Sequence, residues 1–440
     1  MTGIEKPSWF EMLDTLAARA RHRIGPASRL ADVSAALFVA GVTMVSLGAG
    51  SHSYKPPISF AIGGAALLTL LYPEARAGLT QLWYRSPLLR AALLLMALFA
   101  AYAGVSALWA DIRPERAAEK IFEPLAVFAC FFLAAPIVGA SCSKIGLRRI
   151  GAAVLAAAVL SAAAGMLAFD GSGRMMSLFS RSPIFDGAFW TLMAALALAG
   201  APFGSEHNDR LGAGWRWLRR LLPAAAVLLI IAAFMTGSRS AILCLAGVVV
   251  FTLLVYNRRL AGRLVLSCVL GVALVWAAFL AAERFAPRAA DMSVVANVRV
   301  VKAGFPRLLI WRNGLERGTS SLENLLFGEG HGERVFLFGP GSEPVFHPHS
   351  LYLSVFLSYG LIGAALFGAA WALFLVAALG QARAGVMPGA IIFVQVATLG
   401  LVEFDGALGT VGWGELSVAL ACVSVLVIAA RSAVDDTSAA

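Results

Sequence analysis

Two kinds of side chain in this sequence sit where they could do chemistry: an imidazole, His349, and a small set of arginines, Arg239, Arg307 and Arg181. His349 lies in Phe346-His347-Pro348-His349-Ser350, directly before a long apolar stretch. Proline suits the first turn of a helix, which would put His349 where the macrodipole is positive and protonation is disfavoured. A neutral imidazole can accept a proton, the task of a general base. The ordinary alternative is a histidine capping a helix at headgroup level, and the local sequence leaves both readings open. His347 shares the ambiguity in a less favourable place.

Arg239 belongs to Thr236-Gly237-Ser238-Arg239-Ser240, with an apolar run on each side. At roughly 1.5 Å per residue the stretch 221–256 would cover about 54 Å, too long for one ordinary crossing. Gly237 therefore predicts a tight hairpin with Arg239 at the membrane surface. An arginine near hydrocarbon usually finds a partner; a snorkelling arginine at a helix end is the plain alternative. Arg181 has a similar setting in Phe179-Ser180-Arg181-Ser182-Pro183. Arg307 opens the helix-like Phe305-Pro306-Arg307-Leu308-Leu309-Ile310-Trp311-Arg312, in which Arg312, like His347, is a supporting candidate. Guanidinium groups bind phosphate oxygens bidentately and keep their charge. Several of them at one membrane surface suit a lipid-linked pyrophosphate, with no metal ion required.

Other templates fail. The sequence has no GxxxxGK[ST], HExxH or GxSxG, so ATP-driven transport, zinc proteolysis and serine hydrolysis lose their simplest support. His331, His347 and His349 show no metal-ligand spacing, and neither a metal nor a cofactor is expected. Glu403, Asp405 and Glu415 could supply a carboxylate base, although solvating helix ends is the commoner role of such acids. Gly328-Glu329-Gly330-His331-Gly332 reads as a flexible turn.

The elements that must position these groups are membrane helices. Of 440 residues, 60% are hydrophobic and 14% charged, more apolar surface than a soluble domain could bury, so the bilayer is the solvent. A crossing needs about 20 mainly apolar residues. Cutting at charged and Gly/Pro-rich breaks predicts an all-α polytopic membrane protein with about 12 transmembrane helices. The predicted order is a cytoplasmic leader over 1–32, helices one to nine over 33–282, a larger outer loop domain over 283–348, helices ten to twelve over 349–430, and a cytoplasmic tail over 431–440. The leader lacks a secretory core, and the first span acts as an uncleaved anchor. Trp9, Phe10, Leu13 and Leu16 give the leader an amphipathic face that suits a surface-lying helix as well as a tail. Loop 283–348 is the longest, hence the first place to look for a site.

With the N-terminus inside, the inner segments hold 20 of the 35 basic residues, and the outer ones, the long loop aside, hold 7. Both termini are therefore expected in the cytoplasm and the site on the opposite face. The net charge of +10 is scattered between apolar spans. Anchoring at the inner leaflet accounts for it, and membrane lipids rather than nucleic acid are the expected partners. The five cysteines fit neither a disulfide framework nor a metal site.

Taken in order, the spans, the Gly-Ser-Arg hairpin, Arg307 four residues before Trp311, the Gly-x-Gly-x-Gly turn, and His-Pro-His-Ser opening a helix with Gly360 and Gly363 resemble the O-antigen ligase family. The informative motifs lie between 236 and 363. The resemblance implies a GT-C-like fold and a glycosyltransferase with a polyprenyl-pyrophosphate-linked donor, at the periplasmic face of the bacterial inner membrane. A ligase of this family passes polysaccharide from undecaprenyl pyrophosphate to a sugar hydroxyl of lipid A-core, in lipopolysaccharide biosynthesis. By that resemblance Arg239 and Arg307 match pyrophosphate-binding arginines and His349 matches the essential histidine. Arg181 falls where a further arginine is common, but within Ser-Pro-Ile-Phe-Asp rather than an Asn-Pro pattern; Ser350 stands where asparagine is usual. O-antigen polymerase and protein O-oligosaccharyltransferase share the donor and stay open as alternatives. A lipid or polysaccharide transporter is the rival from another class, although mid-bilayer charges and repeated halves, its signature, are not visible.

Overall fold

The structure, a computed structural model, describes residues 80, 82–133, 135, 144–169, 175, 183–199, 213–255, 258–285, 306–332, 337–338, 344–345, 348–403, 418–419 and 421–430. The leader, the first two predicted spans, Arg181, His347 and the tail lie outside the described residues.

The chain is helical, as its composition demands: in lipid only a helix or closed barrel satisfies every backbone group internally. In order come α1 (Pro87–Ser106), α2 (Pro114–Phe128, continued by a π-helical turn at Ala129–Leu133), α3 (Lys144–Ala168), α4 (Pro183–Leu198), α5 (Ala213–Met235), α6 (Arg239–Leu254) and α7 (Arg258–Phe285). They are followed by α8 (Pro306–Gly318), α9 (Leu322–Phe327), α10 (Leu351–Arg383), α11 (Pro388–Gly400) and α12 (Ala421–Ala430). Among the described residues three stretches are long and apolar enough to cross a membrane: Pro87–Ser106, Gly151–Ala168 and Leu351–Arg383. The β structure among the described residues is one antiparallel pairing of β1 (Leu337–Phe338) with β2 (Pro344–Val345).

Helix starts follow local chemistry. Pro87 opens α1, and Ser86 Oγ accepts the Leu89 N–H at 3.4 Å, which satisfies one of the unpaired first-turn donors. Packing then orders the bundle. Helix α1 lies against α10 and α2, α5 against α4 and α7, and α6 between α4 and α11. Between membrane helices, close van der Waals contact does the work that water does for soluble cores. Trp190, Phe99, Phe132, Phe374 and Phe393 are fully buried. Phe99 of α1 meets Tyr359 and Phe367 of α10 at 5.2 and 5.3 Å between ring centroids, and Trp371 meets Phe393 at 4.3 Å. Gly187 lets α4 approach the α5–α6 turn: an added Cβ would stand 2.8 Å from Thr236 Oγ1.

Helix α10 departs from its expected form. It starts at Leu351 with Ser350 as N-cap, not at Pro348, and it breaks at Gly360 (φ 60°, ψ −164°). The break sets free carbonyls that α10 would otherwise use, and each finds a donor outside the helix. Glu329 N–H binds Leu357 O and Gly330 N–H binds Ser358 O, both at 2.9 Å, while the Tyr102 hydroxyl donates to Tyr359 O at 3.2 Å.

The donors identify what Gly328–Gly332 is. Its glycines read as a flexible turn, yet from Gly328 to His331 the segment is buried, a clamp on α10. His331 is 5% exposed; its N–H donates to Ser106 Oγ at 3.0 Å, and its Nδ1 lies 2.7 Å from the Tyr359 hydroxyl. Its Nε2 lies 3.3 Å from Glu123 Oε2, which also takes Lys120 Nζ at 2.6 Å. Arg317 of α8 pairs with Glu329 through Nη2 and Oε2 at 2.9 Å.

Gly360→Ala should therefore destabilise the fold. Its Cβ would stand 2.4 Å from Leu326 O and 2.5 Å from Phe327 N, in a backbone conformation that L residues rarely adopt. The expected loss is about 1–3 kcal/mol, read as a lower thermal unfolding midpoint in detergent. An unchanged midpoint would mean that the break is not held in this way.

Candidate active site

The hairpin expected at Gly237 is present. Helix α5 ends at Met235, Gly237 turns the chain with φ 63°, and α6 begins at Arg239. Thr236 Oγ1 accepts the Ser238 N–H at 3.2 Å, and Ser238 Oγ caps α6 by accepting the Ala241 N–H at 3.3 Å. Arg239 is thus the first residue of a sixteen-residue helix, whose N-terminal amides and dipole favour an anion. It is exposed, and among the described residues no carboxylate pairs with it.

Glu403 stands opposite, in the turn beyond the end of α11, with its side chain 5% exposed. Its Oε1 accepts the Ser240 hydroxyl at 2.8 Å and Arg307 Nη2 at 2.5 Å. Its Oε2 lies 3.7 Å from His349 Nδ1. Burial pushes the Glu403 carboxyl up, but the His349 imidazole, the Arg307 guanidinium and the Ser240 hydroxyl together outweigh it and hold it below the usual carboxylate range. The carboxylate accordingly stays ionised at neutral pH and loses its charge only on acidification through that lowered range.

All of these groups but His349 border a cavity of about 860 Å³, which is lined by Ser238, Arg239, Ser240, Arg307, Trp311 and Glu403, with Ile184, Ile242, Leu243, Ala246, Leu308 and Val402 as its apolar wall. Ile242, Leu243 and Ala246 follow Arg239 by three, four and seven residues, the spacing of one helix face. The apolar wall therefore runs along α6 away from the guanidinium. A cavity of this size, apolar with a few convergent polar groups, has the make-up of a ligand site.

Of the residues singled out in the sequence, Arg239 and Arg307 share the cavity, and His349 joins them through Glu403. Its placement differs from expectation: it lies two residues ahead of α10, not on its first turn, with φ 51°. The reason is that Ser350 takes the N-cap and Pro348 is spent outside the helix. Arg312 is on the exposed side of α8, bound to Glu316 at 2.7 Å, and does not line the cavity. In the sequence Glu403 is one of three outer acids with nothing to choose between them, and Ser240 carries no signal of its own within its motif. One signal was available for Glu403: it closes the apolar stretch from Val386 to Val402, and an acid at such a place tends to have a partner.

The sequence profile of the O-antigen ligase family matches residues 224–368. The chain carries an O-antigen ligase domain over those residues. No curated protein matches it closely. The matched stretch carries Arg239, Arg307, Trp311, the Gly328–Gly332 clamp and His349, while Glu403 lies beyond it. The O-antigen ligase domain assigns the chain glycosyltransferase-like chemistry on polysaccharide, of the ligase or polymerase type.

Proposed function

We propose that this chain, with its O-antigen ligase domain, is a ligase, passing polysaccharide from undecaprenyl pyrophosphate to a sugar hydroxyl of lipid A-core at the periplasmic face of the inner membrane. The reading rests on one observation: two guanidinium groups and the Glu403 carboxylate line a single cavity whose wall is apolar, and that carboxylate lies 3.7 Å from the His349 imidazole. A polyprenyl pyrophosphate needs both parts, cations for its phosphates and a greasy surface for its first isoprene units. No nucleotide sugar is available outside the inner membrane, so a donor there must carry its own leaving group.

The chemistry follows from the groups. His349 takes the proton of the acceptor hydroxyl, the oxygen attacks the anomeric carbon, and the bond from that carbon to the pyrophosphate oxygen breaks. Arg239 and Arg307 neutralise the charge that gathers on the departing lipid pyrophosphate. Glu403, ionised and tied down by Ser240 and Arg307, orients the imidazole, as the third member of such constellations does. One displacement inverts the anomeric configuration.

Acceptor exchange separates ligase from polymerase and from protein oligosaccharyltransferase. With purified lipid-linked polymer, label should move to lipid A-core; lengthening of the polymer, or label on protein, would reject the ligase assignment in favour of the matching relative. Because arginines carry the positive charge, transfer should proceed at full rate in excess EDTA. Activity lost to the chelator and regained with one divalent ion would overturn that part.

A further inference from the structure

Among the described residues His349 is the non-glycine that holds a positive φ, 51°, in a region that L side chains rarely occupy. Something must keep it there. On its C-terminal side the chain is fixed by α10: Ser350 is extended at φ −154°, and Leu351 is wholly buried against Gly400. On its N-terminal side the grip comes from α8, where the Trp311 indole N–H donates to Pro348 O at 2.9 Å. That carbonyl lies in the same rigid peptide plane as the His349 nitrogen. Holding it therefore sets the rotation about the His349 N–Cα bond, which is φ itself.

We infer that Trp311 is a positioning residue, whose indole N–H locks the Pro348–His349 peptide so that the imidazole stays beside Glu403. The inference rests on the reading of His349 as the base. Trp311 follows Arg307 by one helical turn, so the two share a face of α8. One helix thus grips both members of the acid–imidazole pair, Arg307 on Glu403 and Trp311 on the peptide of His349. Helix α8 is in turn seated on α10, with Gly314 against Leu353 and Gly318 against Phe356, and Ile310 in a buried cluster with Leu357 and Leu337.

The rival role for an indole that lines a sugar-handling cavity is a stacking platform, and Trp311→Phe tells the two apart. Phenylalanine keeps an aromatic face and loses the N–H. The expected result is kcat lower by about tenfold, the worth of one well-placed hydrogen bond, with the donor KM little changed and the acidic limb of the kcat–pH profile displaced. Peptide-level mass spectrometry should also show a changed rate of modification of His349 by diethyl pyrocarbonate. Benzothienylalanine at position 311, which keeps the bicyclic shape without the N–H, should reproduce both effects even where Trp311→Phe folds poorly. A wild-type kcat and pH profile in the benzothienylalanine protein, or a change in KM alone, would overturn the inference. Should His349→Ala transfer glycan normally, the function reading fails instead, and the double variant Trp311→Phe with His349→Ala should be no slower than His349→Ala alone.

Discussion

His349→Ala should lower the initial rate of glycan transfer by about 10²–10⁴-fold, the usual contribution of a general base. The loss should fall on kcat, because the donor is held by the arginines and the apolar wall, which this change leaves in place. Two controls make the result readable: the variant should insert in membranes at the wild-type level, and its melting in detergent should match wild type, since His349 is only partly buried. A carboxylate left without the imidazole keeps Arg307 and Ser240 as partners, so the fold has no reason to fail. Transfer near the wild-type rate would remove His349 from the chemistry, and Glu403 would then be the group to test as base.

Arg239→Ala should reduce kcat/KM for the lipid-linked donor by about 10²–10³-fold, the scale found when one preorganised donor to a developing anion is removed. Arg239 gives the cleaner test of the two cations. It is exposed at the cavity and pairs with no carboxylate among the described residues, so its loss changes the handling of an anion and little else. Arg307→Ala also strips Glu403 of its cation, which mixes stability with function. Arg239→Lys sharpens the argument. A lysine restores the charge but not the planar fork, and recovery should be partial. Full recovery would mean that a point charge suffices; an Arg239→Ala enzyme with unaltered kcat/KM would mean that the phosphates bind elsewhere.

Much of the helical order was legible because lipid leaves the chain few choices. The apolar run from Leu88 to Ser106 has to be a helix, and Gly237 between two such runs has to turn, since the combined length exceeds one crossing. Local reading failed where the partner of a group lies far along the chain. Glu403 and Arg307 are 96 residues apart, and nothing near either one announces the other. Gly328–Gly332 eludes local reading for a related reason: glycine permits both loose turns and close approach, and the difference is decided by α10 and Ser106, which the segment itself does not reveal. Gly360 lies in an apolar run beside other glycines, and only the donors at Glu329, Gly330 and Tyr102 select it as the point of breakage.

The interruption at Gly360 also has a mechanical result. At 33 residues α10 would run about 50 Å, well beyond a hydrocarbon core of roughly 30 Å. The part after Gly360 matches that thickness on its own, at about 35 Å. The nine residues before it are seated on α11, where the Tyr352 hydroxyl donates to Ala397 O at 3.0 Å. Hydrophobic mismatch makes long helices tilt as bilayer thickness changes; the kink at Gly360 instead divides α10 into a part of membrane length and a separate short part that adjoins His349.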